Sequence, residues 1–175
     1  MLPELERGFE AIEAQRATLT SKALALSDEA LTKKPTPEAW SVRQVVEHLV
    51  IADETVGQRW PSDKAAPDPL RLLPRSWRTA LIEGAFRRNL TLPLPSPEME
   101  PRGDAPLPAL LERWAASRAE MRWVLEALGA GDDAYAHAIL GPLTASQMLS
   151  LAQVHTEYHT RQIDRLIEAE RDSNV

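Results

Sequence analysis

The chain carries four histidines and no cysteine, so it has no disulfide framework, no Cys-based zinc site and no cysteine nucleophile, and any thiol chemistry must use a thiol brought in from outside. Two of the histidines, His155 and His159, stand four apart in the run "VHTEYHTRQI", residues 154–163. On a helix such a pair lies about 40° apart and faces one way. Met148, Leu151, Ala152 and Leu166 fall on the same face, so the pair sits in an apolar stripe that must turn inward. His48 lies beside another stripe, formed by Val45, Leu49, Ala52 and Val56. Three histidines are thus aimed inward from two helices. A neutral imidazole is the commonest metal ligand, and an i, i+4 pair can chelate one ion. A third histidine from a facing helix would complete a triad with coordination positions left for water or substrate. The same placement also suits histidines that are merely satisfied within a core, and spacing alone leaves both readings open. One alternative fails on geometry. The run reads H-T-E-Y-H rather than H-E-x-x-H, and Glu157 lies about 200° around the helix from His155, so it cannot act as the general base of a zincin protease.

Helices must position these residues. Leu5, Phe9, Ile12, Leu19, Ala23 and Leu26 recur at helical spacing and predict one amphipathic helix from about residue 3 to about residue 30. "KKPTPEAW" breaks it. Ser41 with Gln44 fits a capping box and Trp40 with Val45 a hydrophobic staple, so a second helix is expected from Ser41 to about Trp60. Between Pro61 and Pro108 lie ten of the fourteen prolines, which excludes one continuous helix and leaves room for a short one around Trp77 to Asn89. A link this long suits a crossover in a bundle. Leu107, Leu111, Trp114, Met121, Leu125 and Leu128 mark a third long helix, with Gly129 and Gly131 as its expected stops. Thr144 with Gln147 and Leu143 with Met148 repeat the box and the staple, starting a fourth helix that runs to about Glu170. No segment alternates at period two long enough to predict a sheet. The expected fold is all-α: a four-helix bundle with a long Pro-rich crossover between its second and third helices, in a single domain over residues 1–175.

Composition narrows the function. With 175 residues, 43% hydrophobic and 26% charged, the chain can bury one core and fits an ordinary globular protein. A net charge of −6 repels a phosphate backbone, so no nucleic-acid partner is expected. The N-terminus lacks a basic region followed by an apolar one, and no apolar run approaches membrane-spanning length. A cytoplasmic protein with no membrane partner is the expectation, and the absence of cysteine agrees with it.

"AWSVRQVVEHLV", followed after a long interval by "HAILGPLTASQMLSLAQVHTEYHTRQIDRL", resembles the DinB-like (DinB/YfiT) superfamily of four-helix-bundle metalloproteins. The first stretch is similar to its W-S-x-x-x-x-x-x-H-L pattern, the second to its H-x-x-x-G-x-L-T and H-x-x-x-H-x-x-Q-I patterns. The resemblance covers the first two helices and the last; the link from Pro61 to Pro108 is not diagnostic. It implies a metal triad on His48, His155 and His159. Relatives include S-transferases that use low-molecular-weight thiols such as bacillithiol or mycothiol, and a mycothiol-dependent isomerase. It therefore implies a divalent metal cofactor (zinc, nickel, iron or manganese), a low-molecular-weight thiol cosubstrate, a small-molecule substrate and a homodimer.

Further residues fall near these faces. Gln44 and Thr55 flank His48, while Tyr158 and Gln162 flank the pair; each is expected either to orient an imidazole or touch a metal-bound water, or to hydrogen-bond between helices. Glu47 and Asp164 point away from the histidines. His137 is expected in a loop, holding the turn through a hydrogen bond. Arg16 and Arg118 lie on the apolar stripes of their helices, either paired with acids or gripping the carboxylates of a thiol cofactor. Arg71, Arg75, Arg78, Arg87 and Arg88 are expected on a solvated face of the crossover, and the five tryptophans in core and staple positions. The leading expectation is a metal-dependent thiol S-transferase. A metal-dependent hydrolase and a non-catalytic, stress-related metal-binding protein are the alternatives.

Overall fold

The computed structural model describes residues 1–58, 70, 72–94 and 96–173. Helix α1 spans Pro3–Leu24, with proline in its first turn and Glu4 and Glu6 complementing the helix dipole. It stops short of the expected end near residue 30. The Ser27 hydroxyl instead accepts from the Ala30 N–H at 3.2 Å and opens a separate short helix, α2, Asp28–Thr32; a capping side chain outweighs a continuing apolar period.

Helix α3, Val42–Gln58, begins at the expected capping box. The Ser41 N–H donates to Gln44 Oε1 at 3.1 Å and the Gln44 N–H to Ser41 Oγ at 3.3 Å. Its expected last turn, to Trp60, lies outside the described residues. Helix α4, Arg75–Arg87, is the expected short helix of the link and closes at Asn89, which takes a positive φ of 56°. A single 3-10 turn, Pro97–Met99, precedes helix α5, Leu107–Leu125. Gly129 and Gly131 do not end α5 by left-handed conformations, since only Gly103 and Gly141 among the described glycines have positive φ. The Asp132 carboxylate captures the Gly129 N–H at 2.7 Å instead.

The chain also forms the sheet that no periodicity predicted. Strands β1, Asp133–His137, and β2, Gly141–Thr144, pair antiparallel with Tyr135 opposite Leu143 and His137 opposite Gly141. Two strands of five and four residues are too short to show an alternation; only Ala134, Leu140 and Leu143 are buried there by apolar side chains. Gly141, at φ 72°, turns the chain where a residue with a Cβ would be strained. His137 belongs to β1 rather than to a loop, and its Nδ1 accepts from the Ile139 and Leu140 N–H groups, each at 3.1 Å. The second capping box forms between Thr144 and Gln147, at 3.1 and 3.3 Å, and starts helix α6, Ala145–Ser173.

The protein is therefore mostly helical. Helix α1 packs along α6 and α3 along α5, while α6 also meets α3 and α4. One apolar layer gathers Leu19, Val45, Val46, Val50, Leu110, Trp114 and Ile163; a second, at the other end, gathers Leu5, Ile12, Met121, Leu125 and Met148. Trp114 is fully buried, but Trp77 and Trp123 are exposed and not core residues. Arg78 likewise departs from the solvated face expected of it: it is buried, and donates to the Leu140 carbonyl at 3.1 Å. Arg87 and Arg88 are exposed, Arg71 lies outside the described residues, and the same holds for the side chain of Arg75. Among the described residues no helix is long and apolar enough to cross a membrane.

Candidate metal centre

His48 comes from the middle of α3, and His155 and His159 from successive turns of α6. His48 and His159 are buried and His155 is half-buried. Their Nε2 atoms converge: His155 Nε2 lies 3.3 Å from that of His48 and 3.1 Å from that of His159. With metal–nitrogen bonds of about 2.0–2.1 Å, two imidazoles on one ion stand roughly 2.9–3.4 Å apart between a right angle and the tetrahedral angle. These two separations fall in that range, and the three candidate ligand atoms all lie within 4.8 Å of one another.

Hydrogen bonds at the far side of the rings decide the protonation pattern. His48 Nδ1 faces the Met99 carbonyl oxygen at 3.0 Å, and His159 Nδ1 faces Gln162 Oε1 at 2.9 Å. An oxygen acceptor requires a donor, so both Nδ1 atoms carry the proton and both Nε2 atoms present lone pairs. His155 Nε2 can offer one proton to two such neighbours. At least one contact between ring nitrogens therefore lacks a well-directed hydrogen, and the three histidines could hold a cation at the point of convergence, which would meet all three lone pairs.

Electrostatics keep the rings neutral. Burial pushes His48 below the ordinary histidine value, against the pull of the Met99 hydrogen bond and the Glu100 carboxylate. His155 is held well below it by burial and by its histidine neighbours. His159 is lowered to about 3 by burial and by His48, with Gln162 opposing. Neutral rings near pH 7 need release no proton to bind a metal. Aromatic rings close around them: Trp40 stands 4.8 Å from the His48 ring, Phe86 5.2 Å from His155, and Tyr158 4.9 Å from His159, centroid to centroid.

The other sequence-selected residues divide. Gln162 bonds a histidine and Tyr158 packs on one, whereas Gln44 serves its capping box and the Pro101 carbonyl. Thr55 donates within its own helix to the Ile51 carbonyl. Arg16 binds Glu13 at 2.7 Å. Arg118 is buried with Nε 2.7 Å from Asp53 Oδ2, though without the alignment of a hydrogen bond, and 3.8 Å from Glu13. Both arginines thus meet acids, beside a groove of about 330 Å³ lined by Phe9, Glu13, Arg118 and Arg122. Glu47 and Asp164 are engaged elsewhere, by the Gly103 N–H and by Lys22. Two neighbours of the histidines were not picked out by spacing: Phe86, on α4, and the Met99 carbonyl, since a backbone group leaves no mark in residue type.

Neither the curated proteins nor the solved structures give a significant match. The family model of the DinB superfamily matches residues 11–163, which include all three converging histidines, and the chain belongs to that superfamily.

Proposed function

We propose that this chain is a metal-dependent enzyme that holds a divalent ion on His48, His155 and His159 and joins a low-molecular-weight thiol, of the bacillithiol or mycothiol type, to a small electrophile. The observation that carries the metal half of this reading is the convergence of three Nε2 atoms, two of them with lone pairs forced inward by acceptors behind the rings. The superfamily resemblance supports the thiol half. A divalent ion held there supplies Lewis acidity that keeps a bound thiol deprotonated near neutral pH.

The chain's own groups do the rest. The Met99 carbonyl and Gln162 orient two of the rings. Trp40, Phe86 and Tyr158 exclude water and offer aromatic walls to an apolar portion of the electrophile. In this reading α1, α3, α5 and α6 are the helices of a four-helix bundle in a single domain, with the Pro-rich link as its crossover. The reading includes a homodimer, from base rate and family habit, and a cytoplasmic location, which the absence of cysteine supports.

Two alternatives share the triad. A hydrolase would use a metal-bound water and need no thiol. A non-catalytic, stress-related metal-binding protein draws support from the aromatic packing around the rings, since structural sites are closed.

Metal content by plasma mass spectrometry, on protein purified without an affinity tag, tests the site. About one ion per chain is expected in the wild type, with affinity falling more than about 100-fold in His48→Ala and His155→Ala, both checked for folding by circular dichroism. Absence of any ion after dialysis against zinc, nickel and manganese would end the metal reading. Loaded protein that converts an ester without thiol selects the hydrolase; loaded protein that turns over neither thiol nor ester selects the structural site.

A further inference from the structure

We infer that Gly103 is a positioning residue for His48, acting through a strap of backbone, Met99–Gly103, that α3 grips along one face. This rests on the metal reading above for its purpose but not for its geometry. Four residues bind the strap, each at a different point. The Trp40 Nε1–H donates to Glu100 Oε1 at 3.2 Å, and Gln44 Nε2 to the Pro101 carbonyl at 3.3 Å. Arg43 Nη2 donates to the Gly103 carbonyl at 2.6 Å, while the Gly103 N–H donates to Glu47 Oε2, also at 2.6 Å. Both polar groups of one peptide residue are therefore held by opposite charges one helical turn apart, and charge-assisted bonds of this kind are the stronger sort.

Glycine is required at that point for two independent reasons. Its φ of +78° is strained for any residue with a side chain, and a Cβ would stand 2.9 Å from Gln44 Cγ. With the strap seated, the Met99 carbonyl faces His48 Nδ1 at 3.0 Å. That contact selects the Nδ1–H tautomer and turns the Nε2 lone pair toward His155 and His159. Glu47, which points away from the histidines, thereby acts on one of them through the backbone.

The test uses the full chain and two readouts. In metal-free protein at pH 8, ¹⁵N correlation spectra of the imidazoles report the His48 tautomer; zinc affinity is measured by chelator competition. Gly103→Ala and Glu47→Ala are expected to leave His48 as a mixture of tautomers and to weaken zinc binding about 10–100-fold. Leu125→Ala, a destabilising change in the other apolar layer, is expected to alter neither. Folded Gly103→Ala and Glu47→Ala proteins that keep both the single tautomer and wild-type affinity would overturn the inference, as would an equal loss in Leu125→Ala. Should Gly103→Ala fail to fold, Glu47→Ala decides by the same criteria. Wild-type protein that binds no zinc would sink the metal reading alone, because the tautomer is read without metal.

Discussion

Among the buried polar groups of helix α3, His48 and Asp53 have opposite requirements. His48 faces α6 and two further histidines; Asp53, five residues on and about 140° around the helix, faces Arg118 and Trp114 of α5. The second cluster closes on itself, because an acid, a base and an indole N–H compensate one another. The first contains like groups only. Three neutral rings meet at their Nε2 atoms with no cation or acid between them, an arrangement that could hold a metal ion. A buried cluster whose charges cancel accounts for its own burial, whereas one of like groups calls for a further explanation.

That contrast can be broken most forcefully on the Asp53 side. Asp53→Ala strands the Arg118 guanidinium, whose side chain is 3% exposed, and losing one partner of a buried ion pair costs about 3–5 kcal/mol. Urea denaturation is expected to show that loss while metal affinity of the folded fraction stays unchanged. A loss of metal binding in step with stability would mean that the two clusters are coupled through α3.

The pH dependences of the two clusters should also have opposite signs. The histidines have folded-state values below the ordinary 6.5, with His159 at about 3. The unfolded chain then binds more protons than the folded one, so metal-free protein loses stability as pH falls below 6.5. Each histidine contributes up to about 1.4 kcal/mol per pH unit. Burial raises Asp53 above 3.8, more than Arg118 and Trp114 pull it down; its contribution is present at low pH and is lost as pH rises through its folded value. Denaturation midpoints at pH 7.5, 6.0 and 5.0 are expected to fall in the wild type and to flatten in a His155→Ala, His159→Ala double variant. A wild-type profile flat over that range would mean that the rings are not buried as neutral species.

The smallest effect sharpens the histidine side. Gln162→Ala removes the acceptor behind His159 and should weaken metal binding about 10-fold with little change in melting temperature. Unchanged affinity would assign Gln162 to packing.

Much of this arrangement is legible in one dimension because it is local. A capping box needs only residues three apart, so the starts of α3 and α6 could be read from Ser41 with Gln44 and from Thr144 with Gln147. The i, i+4 spacing of His155 and His159 likewise follows from helix geometry. Misreadings arose where a local competitor or a distant partner intervened. Ser27 ended a periodic run that looked continuous. The hairpin at Asp133–Thr144 was too short to show a period. Arg78 carries the charge of a surface residue but is buried against the Leu140 carbonyl.

The sequence by itself determined which residue types are present, where α3 and α6 begin and that three histidines lie on inward faces, since all of these depend on neighbours within a turn or two. Only the tertiary structure decided that His48 meets the α6 pair at hydrogen-bond distance, that Arg118 is spent on Asp53, and that a carbonyl 51 residues away sets the His48 proton. These contacts join groups far apart in the chain, and their directions are set by the packing of whole helices and by backbone atoms that every residue shares.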